Sequence, residues 1–573
     1  MIPSILAILG GNISIMVDNC VAGAVMGENA LAAMGLVNPI FNAITAFGLL
    51  ICGGASALAS VNIGLGDDQK KRSFFSLAFY LLLAVAAVVT TLGFVFLEPI
   101  VKAVGAEGEL LPLAKDYART IFLSSIALMS VYFPLNFFRI EGKAKVSMIM
   151  FFIMAALDII LDLVFVLVFD WGMTGLALAT GLSSLIAVIV VLPQLFSPAL
   201  GYRLTKVSSA AEEIKKVITT GSPLALGNLY TVIRVRILNA LLLSCGGSLA
   251  LAAYGCANSV NNIGMAIVSG FSQTVGPIVG VLYGERDRDG IQKTVKRAVK
   301  LGSAVTLILW LLCVVFRQQL AALFGMSSPE QTAAAGLAIS ILNFNLLFTL
   351  IVNVFIYYYM TTDHPGLSNL LTFSKGLICN VLLAFIGAKL FGFTGLLAGL
   401  ALSEMVCILV AFIAASAEKK KMHCDSVLLL PEHLFNNGDF LSRTILPTSE
   451  SISETAELAG DFCSEHGLPP KQAMTVSLGI EEIMVLMQQH AVTKEDDCLD
   501  FRLFISEYET ILRLRCAGKW FNPLNYESED EMDNLGAKML IKMATDISYS
   551  TNLGLNNIKL TIKRKETEEE KQK

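Results

Sequence analysis

The stretch that decides the fold is 155–169, AALDIILDLVFVLVF, an apolar run that two aspartates interrupt. On a helix, Asp158 and Asp162 lie four residues apart and therefore share one face. With its apolar flanks, the run is long enough to span a membrane. Because a carboxylate in hydrocarbon costs several kcal/mol, such residues usually face a bundle interior or a wet cavity and mark an ion or proton site. The alternative is a structural role, in which an Asp binds a helix neighbour or caps a segment end.

The composition of the whole chain predicts a polytopic membrane protein with a soluble part attached. Of its 573 residues, 55% are hydrophobic and 16% are charged, whereas soluble domains carry about 25% charged residues. The net charge of −5 comes without a basic stripe, so no nucleic-acid partner is expected. The 11 Cys and 5 His show no metal-ligand spacing. We therefore assign no metal site, no cofactor and no catalytic residue.

The apolar runs form an internal repeat. Twelve runs are long enough to span a membrane, in two sets of six, and a shift of 220 residues aligns one set with the other. Residues shared at this offset include Asn19 and Asn239, Gly35 and Gly255, Asp67 and Asp287, and Gly172 and Gly392. Six spans in each half make the repeat parallel, with its axis along the membrane normal. We predict an all-α polytopic membrane protein with twelve transmembrane helices in two lobes, at 1–195 and 220–416, joined by a cytoplasmic connector at 196–219.

The loop charges predict the orientation. Lys and Arg are concentrated in the loops on one side, which include Lys70–Arg72, Arg139, Lys143 and Lys419–Lys421, and they are sparse on the other. The basic side should be cytoplasmic. Residues 1–24 lack the basic region and cleavage site of a signal peptide, so we interpret them as the first span. Twelve spans then place both termini in the cytoplasm, in a multi-pass protein of the plasma membrane.

A third acid, Asp18, lies in the first span, within SIMVDNCVAG. The second-lobe residues that align with Asp18, Asp158 and Asp162 are apolar: Leu238, Ile378 and Leu382. All three acids thus belong to the first lobe, and we predict that together they form a site for a coupling cation. Burial and neighbouring acids favour the protonated carboxyl, so H⁺ is a reasonable ion near neutral pH. Clustered oxygens beside an Asn or a backbone carbonyl could equally hold Na⁺.

Other polar side chains in the spans are candidates for the cavity between the lobes: Asn19, Asn38, Asn258, Arg234 and Lys375. Arg234 and Arg236 are two residues apart and cannot share a helix face. With Lys375 and Glu404 they are charged groups of the second lobe. Interlobe ion pairs or snorkelling to the interface explain these residues as well as contacts with a substrate do.

Residues 1–416 resemble the multidrug and toxic compound extrusion (MATE) family, in IMVDNCVAG, FFRIEGKAK and GFSQTVGPIVGVLYGERD among other stretches. The resemblance implies alternating-access exchange of H⁺ or Na⁺ for organic cations and other amphipathic compounds. It places Asp18 at the family's first-helix acid and Asp162 at its fifth-helix acid, while Asp158 stands where many members have Asn. The second-lobe acids of one branch are missing, since Arg234 and Arg236 occupy the seventh helix. Coupling is therefore expected from the first lobe.

Beyond a linker at 417–440, the pattern becomes that of a soluble domain at 441–566, which we predict to be an α/β sandwich. Its predicted strands lie at 441–446, 498–507, 510–516, 546–551 and 558–563, and its helices at 449–465, 470–491 and 534–544. The charged tail at 567–573 is expected to be disordered.

This domain resembles the anti-sigma-factor branch of the histidine-kinase-type ATPases, in SLGIEEIMVLMQQHA, KWFNPL and DNLGAKMLIKMATDISYS. Glu482 matches the catalytic Glu, and Gly518 and Gly536 match nucleotide-site glycines. However, Leu486 replaces the Asn that holds Mg²⁺, and Cys516 replaces the Asp that reads adenine. Because Mg²⁺ needs oxygen ligands, we predict a degenerate domain that does not phosphorylate protein. It should act by binding itself, the transporter's cytoplasmic face or a cytoplasmic regulator.

The leading hypothesis is a secondary antiporter, not an enzyme, whose partners are membrane lipid and a cationic or amphipathic small molecule. A lipid-linked precursor flippase is the first alternative, although it would call for a cavity rich in Arg and Lys. The second is a membrane-tethered sensor or kinase-like regulator, which the altered nucleotide site disfavours.

Overall fold

The computed structural model describes residues 10–11, 14, 17–197, 200, 202–207, 210–326, 328–422, 424, 426–430, 438–494, 497–526, 534–552 and 555–564. The predicted tail at 567–573, most of residues 1–16 and part of the predicted linker lie outside these ranges. The chain divides into two compact units: Met1–Ser197 with Tyr202–Lys421, and Pro198–Gly201 with Met422–Lys573.

The first unit is built of helices. They are α1 (Val17–Met26), α2 (Glu28–Leu65), α3 (Asp68–Val95), α4 (Leu97–Ala103), α5 (Leu110–Leu123), α6 (Ser125–Ile140), α7 (Ala144–Val168), α8 (Gly172–Leu195), α9 (Ala210–Gly284), α10 (Arg288–Val315), α11 (Arg317–Leu323), α12 (Pro329–Thr361) and α13 (Pro365–Met422). Among the described residues, eight helices are long and apolar enough to cross a membrane, and α5 with α6, bent by 53°, makes a ninth if the pair counts as one span.

Two of these helices are broken in the middle. The 75-residue α9 has non-helical backbone at Gly246 and Gly247, and α13 has it at Phe391 and Gly392. An unbroken helix of this length would extend about 110 Å, several times the roughly 30 Å of a bilayer core. Gly247 and Gly392 have φ of 59° and 61°, a conformation that glycine adopts without steric cost. Each break therefore divides one long helix into two arms, each long enough to cross a membrane.

The 220-residue repeat is visible in the backbone. Helix α3 spans 68–95 and α10 spans 288–315, while α4 spans 97–103 and α11 spans 317–323, so both pairs match residue for residue at this offset. The preceding caps match too: the Asp67 carboxylate accepts the N–H of Lys70, and the Asp287 carboxylate accepts the N–H of Gly290. Such caps satisfy otherwise unpaired N–H groups in the first turn of a helix.

The turns between helices repeat as well. Gly27, with φ of 86°, corresponds to Gly247, and Gly172, with φ of 50°, corresponds to Gly392. Both pairs lie where a side chain would strain the backbone. The repeat predicted from the sequence is thus confirmed in its helix ends and its turns.

The second unit contains a five-stranded antiparallel sheet in the order β1-β2-β3-β5-β4. Its elements are β1 (Gly438–Ile445), α14 (Ser449–Glu465), α15 (Pro470–His490), β2 (Leu499–Ser506), β3 (Glu509–Ala517), α16 (Leu535–Met543), β4 (Asp546–Asn552) and β5 (Leu555–Lys563). The strands and helices predicted for this domain are confirmed, with ends that differ by a few residues.

The alternation of buried and exposed side chains along the strands explains how the sheet and its helices share one core. In β2 the side chains of Leu499, Phe501 and Leu503 are fully buried, and the residues between them are partly exposed. They pack with Ile480 and Met484 of α15 in a single cluster. The sheet therefore buries one face against helices, as expected for strands of period two.

Candidate functional site

The three aspartates of the first lobe lie together. One carboxylate oxygen from each of Asp18, Asp158 and Asp162 falls within 4.8 Å of the other two, and all three side chains are buried. The α1 helix carries Asp18 and α7 carries the other two. Two of the acids are followed closely by a wide π-helical turn, at Ala22–Met26 and at Leu163–Val168, a local distortion that is frequent at functional sites.

Hydroxyl groups distinguish Asp158 from its neighbours. Ser14 donates a hydrogen bond to its Oδ2, and Ser183 donates one to its Oδ1 at 3.0 Å. Both oxygens of Asp162 and Oδ1 of Asp18, in contrast, accept no hydrogen bond from the described residues. Donated hydrogen bonds stabilise a carboxylate. Asp158 is therefore the acid best supported as an anion, and Asp18 and Asp162 have oxygens available for a proton or a metal cation.

The cluster needs positive charge. Two unit charges within 4.8 Å of each other repel by at least about 3 kcal/mol at the effective dielectric constant of protein sites, and burial adds a desolvation cost to each charge. Three ionised carboxylates at this spacing are unstable without a bound cation or protons. A monovalent metal ion with oxygen ligands, or protonation of Asp18 or Asp162, would relieve the repulsion.

A cavity of about 430 Å³ lies beside this cluster, between the lobes. Its polar lining in the first lobe includes Ser14, Asp18 and Asp158, and in the second lobe Gln273 and Tyr357. The size suits a small organic molecule. Because Asp18 and Asp158 face this space, a cation held by the cluster and a compound in the cavity would interact directly.

Glycines allow the two lobes to pack closely against each other at the end that carries the basic loops. A Cβ on Gly64 would lie 2.0 Å from the carbonyl oxygen of Val281, and one on Gly284 would lie 2.1 Å from that of Val61. These two contacts are related by the 220-residue repeat, so they lie about the axis between the lobes. At Gly35, which lines the cavity, an added Cβ would meet nothing within 4 Å. The lobes thus touch at the basic end and are spaced apart around the cavity.

A sequence model of the MatE family matches the chain twice, over residues 3–164 and 223–386. The two matches cover more than half of the chain, and the second begins 220 residues after the first, at the offset of the repeat. The chain belongs to the MATE family.

Curated relatives agree with this assignment. The multidrug export protein MepA of Staphylococcus aureus is 24% identical over 434 residues, which cover 75% of this chain and 94% of that protein. MepA of Staphylococcus haemolyticus is 22% identical over 432 residues, with the same coverage. MATE chains are multi-pass membrane transporters and not enzymes.

Solved structures show the same fold. An outward-facing multidrug resistance MATE transporter of the MOP superfamily superposes with a TM-score of 0.69 at 23% identity, covering 73% of this chain and 94% of that one. A MOP superfamily transporter from Pyrococcus furiosus, described as having a binding pocket of reverse polarity, gives a TM-score of 0.67 at 22% identity, with the same coverage.

The other residues proposed for the MATE cavity separate into two groups. Asn19 and Asn38 line it, and Asn38 accepts a hydrogen bond from Asn42 at 3.0 Å. The lining does not include Asn258, Arg234 or Lys375.

Lys375 instead belongs to a polar group inside the second lobe. Its Nζ donates to the Oδ1 of Asn353 at 2.5 Å, and Asn380 donates to its backbone oxygen at 2.5 Å. Lys375 lies in the π-helical turn Ser374–Ile378, and Glu404 is buried nearby. Lys375 therefore contacts polar groups of its own lobe and does not face the cavity between the lobes.

Sequence reasoning missed three residues of the site. Ser14 lies one helical turn before Asp18, which was a usable signal. Ser183 comes from α8, and nothing local in its sequence connects it to Asp158. Arg139 was counted among the loop charges, but it lines the cavity.

At the basic end of the first lobe, a buried ion pair secures the connector. Lys71 lies 2.9 Å from Glu141, and both side chains are nearly inaccessible. The hydroxyl of Tyr202, in the connector, donates to Glu141 at 2.7 Å, and the Tyr202 ring stacks on Phe75. Burial, followed by the charge of Glu141, raises the pKa of Tyr202 well above its usual range.

The residues proposed as nucleotide-site remnants have structural contacts. Glu482 accepts the N–H of Ala537, in the first turn of α16, at 2.8 Å. Leu486 and Cys516 are buried, and burial raises the pKa of Cys516 to about 11. Gly518 has φ of 124°, and a Cβ there would lie 1.9 Å from the backbone oxygen of Ala491.

Gly536 allows α16 to pack closely on α15. A Cβ at this position would lie 2.9 Å from the Cβ of Leu478 and 3.1 Å from the Oε1 of Glu482. The need for glycine here is therefore explained by helix packing alone.

Proposed function

We propose that this MATE transporter is a secondary antiporter that exports organic cations or other amphipathic compounds in exchange for H⁺ or Na⁺. Twelve spans in two six-helix lobes, with both termini in the cytoplasm, form the proposed topology. The observation that carries the proposal is the cluster of Asp18, Asp158 and Asp162 beside the interlobe cavity. The names of the curated relatives, multidrug export proteins, support it.

The proposed exchange follows from electrostatics. A cation bound at the cluster neutralises it, whereas a positively charged compound in the cavity is attracted to the ionised cluster. The two therefore compete for the same negative charge, and release of one favours binding of the other. Asp158, held by two hydroxyls, is proposed to keep the permanent charge, and Asp18 with Asp162 to bind the exchanged ion.

Movement of the two lobes is proposed to give the cavity alternating access to the two sides of the membrane. The Gly64 and Gly284 contacts close the cavity at the basic end, which we propose to be cytoplasmic because of its Lys and Arg. Rocking of the lobes about the repeat axis would open that end and close the other.

Ion-driven efflux from proteoliposomes tests this function. A fluorescent organic cation is loaded, and its efflux is followed under a pH gradient and, separately, under a Na⁺ gradient. The proposal expects efflux with one gradient, which names the ion, and loss of that efflux in Asp18→Asn and in Asp162→Asn. Gradient-driven efflux that persists unchanged in both variants would place the coupling elsewhere.

For the second unit we propose a degenerate histidine-kinase-type domain that regulates the transporter by binding a partner. A helix N-terminus favours anions, and Glu482 already supplies one to α16. Leu486 offers no oxygen ligand for Mg²⁺.

Nucleotide binding by the full chain tests this second proposal. The purified protein is titrated with a fluorescent ATP analogue with and without Mg²⁺. We expect no saturable Mg²⁺-dependent signal below about 1 mM, an affinity of roughly 4 kcal/mol. Micromolar, Mg²⁺-dependent binding would overturn the degenerate assignment.

A further inference from the structure

A single arginine lines the basic end of the cavity among the described residues. Arg139 lies in the last turn of α6, on the helix face that also carries Tyr132 and Asn136, and all three side chains line the cavity. From the second lobe, Tyr357 lies close to it. Arg139 therefore presents its guanidinium to the space between the lobes and not to the loop that follows.

The described part of the chain does not neutralise its charge. Among the described residues, the Arg139 guanidinium has no carboxylate within ion-pair distance and makes no side-chain hydrogen bond. The nearest acid in sequence, Glu141, is already paired with Lys71 and accepts the Tyr202 hydroxyl. A guanidinium enclosed by protein is costly without an anionic partner, and it offers five donors in a fork that matches a carboxylate.

The aspartates of the first-lobe cluster are too distant to pair with Arg139. Asp158 lies 14 residues after the start of α7 at Ala144, which corresponds to about 20 Å along that helix. Helix α7 begins at the basic end, just after α6 ends at Ile140. The cavity consequently has a negative region at Asp18 and Asp158 and a separate positive one at Arg139.

We infer that Arg139 is a binding subsite for an acidic group, a carboxylate or a sulfonate, on the transported compound. This inference rests on the proposed export function and refines its substrate class. The cargo then includes zwitterions and amphipathic anions in addition to simple cations. A carboxylate bound by the guanidinium fork pairs with a charge that the described residues leave without an anionic partner.

A matched pair of dyes tests the inference. Tetramethylrhodamine carries a free carboxylate, and its methyl ester has the same ring system without that charge. Binding of each to the purified full chain is measured by fluorescence polarisation. Arg139→Gln should weaken binding of the carboxylate dye about tenfold and leave the ester within about twofold, a change below the energy of one charged hydrogen bond.

Two control variants accompany the test. Arg139→Lys keeps the charge but not the fork, so its affinity for the carboxylate dye should be intermediate. Arg119→Gln removes an exposed positive charge that does not line the cavity and should change neither dye. Unchanged ester binding also shows that each variant is folded.

The outcomes separate the subsite from the export function. Equal weakening of both dyes in Arg139→Gln would overturn the inference and indicate a gating role. Unchanged carboxylate-dye binding, or no binding of that dye to the wild type, would also overturn it. If the selective loss occurs but the wild type drives neither dye under an ion gradient, the subsite stands and the antiport proposal fails.

Discussion

The two lobes share a backbone plan, but corresponding positions that are acidic and buried in the first lobe are apolar and exposed in the second. In the first lobe Asp158 and Asp162 are buried at 2% and 0% exposure, while their counterparts Ile378 and Leu382 are 44% and 54% exposed. The π-helical turn Ser374–Ile378 lies just before this point in the second lobe, whereas in the first lobe the corresponding turn follows Asp162. An extra residue in a helical turn rotates the part of the helix that follows it. Residues 220 apart in the sequence therefore lie on different faces of the corresponding helices.

This difference shows what the repeat conserves. The caps, turns and interlobe glycines correspond because both lobes must pack on each other in the same way. The charged groups do not correspond, because the proposed coupling site would be needed once, whereas the packing is needed in both lobes. The second lobe has a different polar pair, Lys375 with Asn353, and these residues align with Ala155 and Phe133 of the first lobe, not with its acids.

The largest expected effect is on transport. Asp162→Asn should lower ion-driven efflux by at least about tenfold, since the change removes one of the two charges that the proposed coupling ion would neutralise. The matched change in the second lobe, Glu404→Gln, also converts a buried acid to an amide, but it should leave efflux within about twofold. Initial efflux rates from proteoliposomes give both values. A larger loss in Glu404→Gln than in Asp162→Asn would reverse the comparison between the lobes.

The next effect is on stability. The first lobe buries Lys71 with Glu141, and the second has Ile291 and Thr361 at those positions. Glu141→Gln should destabilise the protein by about 3–5 kcal/mol, because it removes the carboxylate charge that compensates the buried Lys71 ammonium.

The lobe comparison supplies the control for this prediction. A double variant with the second-lobe residues, Lys71→Ile with Glu141→Thr, should recover most of the loss. The midpoint of thermal unfolding in detergent compares the three proteins. A double variant less stable than Glu141→Gln would show that the ion pair has no apolar equivalent.

Glycine substitutions probe the contact between the lobes. Gly64→Ala and Gly284→Ala each place a Cβ near 2 Å from a backbone oxygen of the other lobe, so each should destabilise the closed contact by about 1–3 kcal/mol. Gly35→Ala and Gly255→Ala, where a Cβ meets nothing within 4 Å, serve as repeat-matched controls. Cysteine cross-linking across the basic end reports the closed fraction. Equal closed fractions in all four variants would contradict the assignment of Gly64 and Gly284 to the contact between the lobes.

The smallest effect concerns the connector. Tyr202→Phe removes one hydrogen bond to Glu141 and should cost about 1 kcal/mol at pH 7. Because the pKa of Tyr202 is raised in the folded protein, this contribution is present below the ordinary tyrosine pKa of about 10 and is lost as the pH rises above it. Melting curves of the wild type and variant at pH 7 and pH 10.5 should converge at the higher pH. A constant difference would show that the hydroxyl is not the relevant group.

Much of the fold could be predicted because its signals are local. Gly27, Asp67 and their partners 220 residues later specify turns and caps wherever they occur, so helix ends followed from the sequence. The pairing of Asp158 with Asp162 followed from helical spacing. The strands of the second unit could be predicted in the same way, since the alternation of apolar and polar residues in β2 is visible in its sequence.

The rest depended on rotation about helix axes and on contacts between distant segments. The turn at Ser374–Ile378 has no sequence signature, so the orientation of Lys375 could not be predicted. Arg139 lies at the boundary of a helix and a loop, where a shift of one turn decides between solvent and cavity. Ser183 reaches Asp158 only through the packing of α8 on α7.

Release of the coupling ion on substrate binding tests the central claim most directly. The purified wild type, Asp162→Asn and Glu404→Gln are mixed with an organic cation, and released ions are measured with a pH indicator in weak buffer or by dissociation of ²²Na⁺. The first-lobe cluster predicts release by the wild type and Glu404→Gln, and none by Asp162→Asn. Release that persists in Asp162→Asn and disappears in Glu404→Gln would contradict the account.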